Sequence, residues 1–399
     1  MGTVPIIMNT QSVTALQECP DRAGQEVALD GGHELRTPPV KSLPRLTSLR
    51  YLAAVIVVLT HVGYQFTSSR LLRKAETYGF DAVTFFFLLS GFVLVWSYKV
   101  QPAGTFFWKR FTKVWPLQFL IAAFVLWTIG PLERIPASLS GRLADLTGLQ
   151  AWWPNSQVYF GVNGVDWSLS CELFFYALFP FLISRLIRFD ARRTWIALGS
   201  VVSLLVASPI LVALMGVLPR TYRWLFFVFP PYQLGFFMVG MLVAYLMRQG
   251  YWRPTVRGLV AVSLIWLTGL TTYGAFYDLS VGHDLSRPLV MLLAGPAMIA
   301  IIVASVTRDC ASSSSWLTSK TMVLFGTTSF ELYLIHKPLF IISQHLGVWA
   351  HNGAIEGVLL GVVFLALATV ASILLHAGFS GRLERFVRER CTLSLRTQA

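Results

Sequence analysis

The sequence predicts an all-α, polytopic membrane protein of about ten transmembrane helices, with both termini on the cytoplasmic side. Three observations predict it. The chain is 55% apolar and only 13% charged, where a soluble domain carries about a quarter charged residues. Ten stretches are long and apolar enough to cross a bilayer, near 47–66, 81–98, 114–131, 167–187, 194–217, 228–247, 256–276, 288–306, 322–345 and 355–378. Finally, Lys and Arg alternate in density between the connecting segments: with the N-terminus inside, 23 fall on the cytoplasmic side and 8 in the outer loops.

These spans define the organisation. Residues 1–44 are rich in Gly, Pro, Gln and charge, hold no apolar stretch, and read as a flexible polar cytoplasmic tail rather than a signal peptide. Residues 45–378 form the ten-helix domain, and 379–399 a basic cytoplasmic tail. The net charge of +13 invites a nucleic-acid partner, but the cations sit in short loops between apolar runs, so the partner they imply is the lipid bilayer. Cys19, Cys171, Cys310 and Cys391 are far apart, with no CxxC and no zinc-like His spacing, so neither a disulfide nor a metal is expected.

Taken in order, the first span carries two costly groups, Arg50 and His61, in RLTSLRYLAAVIVVLTHVGYQF. Eleven helical steps bring roughly 1100°, within about 20° of three turns, so both side chains share one stripe about 16 Å apart. The direction of this span places Arg50 at the cytoplasmic edge and His61 in the outer half. A neutral imidazole there suits a general base, while the alternative is a histidine that glues two helices.

Asp81 opens the second span, where an N-cap explains it as well as an acceptor contact does. Ser90-Gly91 in FFFLLSGFVLVW reads as a close-packing site, since no nucleophile elbow surrounds the serine. The cytoplasmic loop QPAGTFFWKRFTKVWP supplies Lys109, Arg110 and Lys113. With Arg50, the pair Arg110 and Lys113 reads as an anion site, against the plain positive-inside reading. In VDWSLSCELFFYALFP, Trp167 marks the outer rim, and Glu172 lies deeper, where it could orient His61, bind an acceptor hydroxyl or pair with a cation. The ninth span brings Tyr333, His336 and Lys337, while His345, His351 and His376 have no companions in sequence and read as rim residues.

Five motifs occur in order: Arg50-x10-His61, FFFLLSGF, KRFTKVWP, WSLSCELFFY and ELYLIHKP. Together they resemble the acyltransferase 3 family of ten-span membrane O-acyltransferases, over about residues 45–378. The resemblance implies an enzyme that transfers an acyl group from a coenzyme A thioester to a hydroxyl, usually on a sugar. It carries His61 over as the catalytic histidine and Arg50 as its motif partner, while Glu172 joins His61 as a catalytic candidate from its own buried position. Arg50, Arg110 and Lys113 become donor-binding, with Lys113 standing where the family's Arg-x-x-Arg has a second arginine. Beside the resemblance, Asp81, Trp167, Tyr333 and His336 stand as candidate substrate contacts by their own positions in the spans. Phe330 and Glu331 depart from the family's Tyr-Ser-x-Tyr-Leu-x-His pattern, leaving Glu331 to touch acceptor or to pair with Lys337.

The overall likeness is to members that acylate macrolide antibiotics or their sugars. It implies acyl-CoA (acetyl or short branched) as co-substrate, no permanently bound cofactor, and a place in the cytoplasmic membrane. Acceptor selection would fall to the loop 132–166 and to the surroundings of Tyr232 and His283. The rival readings are acylation of a cell-surface polysaccharide and, in another class, a transporter. No internal repeat supports the transporter.

Overall fold

The computed structural model describes residues 35, 36, 38, 42–62, 81–130, 139–277, 283–349 and 354–387, which contain helices and no strand. The predicted polar tails fall largely outside these residues, as do the side chains of Asp81 and His283 and the whole of His351. The main helices are α1 (Pro44–Val62), α2 (Asp81–Trp96), α3 (Ala103–Thr128), α4 (Leu139–Thr147), α5 (Trp167–Leu186) and α6 (Ala191–Leu214). They continue with α7 (Pro230–Arg248), α8 (Val256–Tyr277), α9 (His283–Cys310), α10 (Lys320–Thr327), α11 (Ser329–His345) and α12 (Ala354–Leu375).

Seven helical stretches are long and apolar enough to cross a membrane: Pro44–Val62, Ala103–Thr128, Trp167–Leu186, Ala191–Leu214, Pro219–Arg248, Met291–Cys310 and Ile355–Val387. Three of the ten predicted spans fall short within the described residues. Ala82–Trp96 is a shorter apolar helix, and α8, which runs Val256–Tyr277, has its side chains described only to Gly269. The stretch 322–345 divides at Thr328, whose backbone (φ −92°, ψ 7°) leaves the helical region between α10 and α11. The chain is a multi-pass membrane protein. Leu204 and Leu214 on α6 and Ile355 and Leu367 on α12 stand exposed, an arrangement that lipid solvates and water would not.

Small residues set the tightest helix contact. A Cβ on Gly91 of α2 would run into the Phe237 carbonyl of α7, and a Cβ on Gly240 of α7 would run into the Leu88 carbonyl of α2. The contact is reciprocal, so both backbones approach only because both positions are glycine. This is the packing role expected of Gly91, while Ser90 lines a cavity.

The helix α1 is fixed by polar contacts that burial makes selective. Arg45, one of the cations counted toward orientation, forms a buried ion pair with Asp309 of α9 at 2.5 Å. Removing either partner would strand a buried charge. Ser48 donates to the Leu317 carbonyl at 2.6 Å, and Gly326 of α10 lies so close that a Cβ would meet the Thr47 carbonyl. With α1 held at these points, the direction of Arg50 and His61 is set.

Candidate active site

Three helices deliver cations and a carboxylate to one cavity of about 940 Å³, measured out to its open mouth. Arg50 comes from α1, Arg110 and Lys113 from α3, Glu172 and Tyr176 from α5, and Tyr333 from α11. The rest of the lining is largely apolar, from α2 with single turns of α3, α5 and α11. Such a mixture holds an elongated ligand by its apolar body and fixes it by a few charged groups.

Each charged side chain has a local reason to be there. Arg110 sits 5.7 Å above the Phe106 ring, which stacks on Phe179 of α5 at 4.8 Å. The guanidinium is thus supported from below by a cation–π contact. Lys113, one helical turn further, meets Glu384 at 3.2 Å with its side chain 42% exposed. Glu172 accepts a hydrogen bond from Tyr176 at 2.9 Å, four residues on along α5. The Tyr333 hydroxyl donates to the Val165 carbonyl at 2.9 Å and lies 2.8 Å from the Ser168 hydroxyl.

The histidines form a separate pair behind this cavity. His336 Nε2 lies 3.4 Å from His61 Nδ1, with ring centroids 5.1 Å apart. His61 Nδ1 also faces the Val57 carbonyl at 2.9 Å, and His336 Nδ1 faces the Leu332 carbonyl at 3.2 Å. Carbonyls only accept, so each Nδ1 carries a proton in this network. His336 Nε2 then presents a lone pair to the His61 Nδ1–H, and the basic lone pair of His61 falls on Nε2. Neither histidine lines the cavity. Tyr333 connects the two regions, lining the cavity and packing 6.0 Å from the His336 ring.

Of the residues predicted from sequence, the structure therefore brings Arg50, Arg110, Lys113, Glu172 and Tyr333 together, with His61 and His336 paired just beyond. Trp167 stands apart from the lining. It is 2% exposed and packs against Phe87 and Phe227. Asp81 opens α2, and its side chain lies outside the described residues. Tyr232 spends its hydroxyl on the Leu205 carbonyl. Glu331, read as an acceptor contact or a partner of Lys337, is held by His376 at 2.7 Å. His376 is thus a paired residue and no lone rim histidine, because the end of α12 returns beside the start of α11. Sequence reasoning passed over Tyr176 and Ser168, although Tyr176 follows Glu172 by one helical turn, the spacing that signals such a bond.

A family model described as an acyltransferase domain matches residues 43–377. The acyltransferase MdmB of Streptomyces mycarofaciens is 30% identical over 361 residues, which cover 85% of this chain and 91% of that relative. The O-acetyltransferase OatA of Staphylococcus aureus is 24% identical over 321 residues, covering 75% of this chain; the match spans 51%, about half, of that relative's length. No solved structure matches the chain.

Proposed function

The chain belongs to the acyltransferase family whose domain covers residues 43–377, and we propose that it moves an acyl group from acyl-CoA to a hydroxyl of a sugar or macrolide. The observation that carries this reading is the convergence of Arg50, Arg110 and Lys113 on one apolar-walled cavity that backs onto the His61–His336 pair. Guanidinium groups suit the donor's phosphates. The rise from Arg50 to His61, about 16 Å over eleven residues, is comparable to the reach of a pantetheine arm, whose thioester would pass Tyr333 to reach the imidazole.

The reaction then needs one base in one tautomer. His61 Nε2 takes the proton of the acceptor hydroxyl as its oxygen attacks the thioester carbonyl. The tetrahedral intermediate collapses, the C–S bond breaks, and the proton passes from His61 to the departing thiolate. The Val57 carbonyl, the nearer acceptor of the His61 Nδ1–H, holds the ring in that tautomer, and His336 Nε2 beside it stabilises the imidazolium between the two steps. General-base assistance of this kind supplies about 10²–10⁴-fold in rate. Glu172 acts on the donor side, balancing the three cations.

The topology that serves this chemistry has ten spans with both termini in the cytoplasm, so that the cations face the pool of acyl-CoA. The acceptor reading follows the overall likeness to macrolide-acylating members of the family. An O-acetyltransferase among the relatives supports acetyl as one donor group. The test is a membrane assay with acyl-labelled CoA and extracts offering both small hydroxylated metabolites and cell-wall polymer. Label in a macrolide or its sugar supports the reading, and label in polymer moves the acceptor to polysaccharide. Equal transfer by wild type and His61→Ala removes His61 from catalysis.

A further inference from the structure

Pro338 lies inside α11, and a proline has no N–H to give. The carbonyl four residues earlier, that of Leu334, therefore loses its partner within the helix, and the proline ring crowds it. Another group takes the place of the missing donor. Asn163, in the turn that leads into α5, sends its Nδ2 to the Leu334 oxygen at 3.1 Å. A carbonyl oxygen only accepts, so this bond fixes which way the amide points. Asn163 is 3% exposed, and the bond it makes is one that a buried helix cannot obtain from water.

The gap in the hydrogen-bond ladder falls in the turn of α11 that carries His336. The loop before α5 is fastened to that turn on both sides of Asn163. The Tyr333 hydroxyl donates to the Val165 carbonyl at 2.9 Å. Gly164 lies so close to Lys337 that a Cβ would stand 2.7 Å from the ammonium nitrogen. Asn163 is itself held in a turn, its carbonyl accepting from the Asp166 N–H at 2.9 Å. Both arms of α11 rest on α1, since Leu332 before the gap and Phe340 after it share one buried cluster with Ala54, Val58 and Val62. How the helix is held across the gap therefore decides how His336 meets His61.

We propose that Asn163 is a positioning residue for the His61–His336 pair: it closes the gap that Pro338 opens and so fixes the turn from which His336 reaches His61. Stability alone does not ask for this arrangement. The proline forfeits a helix bond, and Asn163 Oδ1 stays buried with no partner. A leucine at 163 with an alanine at 338 would leave none of these groups unpaired. Asn163 is not part of the cavity lining, so its effect on the reaction passes through His336. The proposal rests on the reading of His61 as the base, and it adds a group outside the cavity on which that base depends.

The test uses the full chain purified in detergent, with acyl transfer measured per folded protein. Asn163→Leu removes the donor and should lower kcat by roughly tenfold, with KM for acyl-CoA unchanged. Pro338→Ala returns an N–H to the Leu334 carbonyl, so adding Asn163→Leu to that variant should cost under about threefold. An equal loss in both backgrounds, a loss carried by KM, or no loss in Asn163→Leu overturns the proposal. Magnetic resonance of labelled imidazole nitrogens, assigned by the signals that His61→Ala and His336→Ala lose, gives a readout without acyl transfer. These signals should shift in Asn163→Leu but differ little between Pro338→Ala and the double variant. Unchanged signals in Asn163→Leu overturn the positioning role, whereas a wild type that transfers no acyl group fails the functional reading. Where Asn163→Leu does not fold, Asn163→Gln, which keeps the donor but displaces it by a methylene, decides by the same signals: shifted ones support the proposal and unchanged ones overturn it.

Discussion

His336 Nε2 lies 3.4 Å from His61 Nδ1, although 275 residues separate the two in the chain. Their outer contacts, to the Leu332 and Val57 carbonyls, settle the direction of the shared proton. The pair thus resembles in its logic any base whose second nitrogen is held by a neighbour.

The first prediction concerns this pair. His61→Ala should reduce turnover of acyl-CoA by about 10²–10⁴-fold. His336→Ala should reduce it by roughly 10- to 100-fold, with most of the loss in kcat. His336→Gln keeps an acceptor opposite His61 Nδ1–H and should recover part of that loss. The pH–rate profile should shift in His336→Ala and move back in His336→Gln. Equal profiles in all three would leave His336 a packing residue.

Arg50 and Arg110 line the same cavity on different helices. Replacing either by Ala should raise KM for acyl-CoA by roughly tenfold to a hundredfold, the worth of a charge-assisted hydrogen bond. KM for a short thioester without the nucleotide should change little. Parallel losses for both donors would remove the phosphate role from these arginines.

Glu384 competes with any anion for Lys113, which it meets at 3.2 Å. The pair is partly solvated, so Glu384→Gln should cost less than about 1 kcal/mol of stability. The same change should lower KM for acyl-CoA by freeing the ammonium. Lys113→Arg should retain activity, since it restores the family's second arginine. A rise in KM on removing Glu384 would show that the carboxylate positions Lys113 for donor binding rather than competing.

Gly91→Ala places a methyl group against the Phe237 carbonyl, and Gly240→Ala places one against the Leu88 carbonyl. Each should destabilise by about 1–3 kcal/mol, as overpacking does. The measurement is thermal unfolding in detergent. Because the two glycines meet at one crossing, the double variant should cost less than the two single costs added together. Strict additivity would mean that the helices separate elsewhere.

Much of the chain was legible in the sequence because membrane helices announce themselves by length and apolarity. Arg50 and His61 could be placed on one stripe from helical geometry alone, and the order of motifs led from Arg110 through Glu172 to His336. The same reasoning overran where the backbone bends: the run Gly326-Thr327-Thr328-Ser329 carries a helix-breaking signal inside 322–345, and Thr328 leaves the helical region there.

What only tertiary structure decided is which distant groups share a proton or a charge. Sequence spacing could not pair Glu331 with His376, Arg45 with Asp309, or Lys113 with Glu384, since each bond joins separate segments. Nor could it bring Gln118 and Gln150 to the buried Asp166, to which both amides donate. The physical reason is common to all of them. Hydropathy fixes that a residue is out of water, but the energy of a buried polar group depends on the partner brought to it. That partner is chosen by helix packing, here by glycine contacts between α2 and α7 and by the clamp on α1. The sequence alone therefore determined a membrane helix bundle with a cation–imidazole stripe. The fold decided that the stripe ends in a histidine pair beside a cavity.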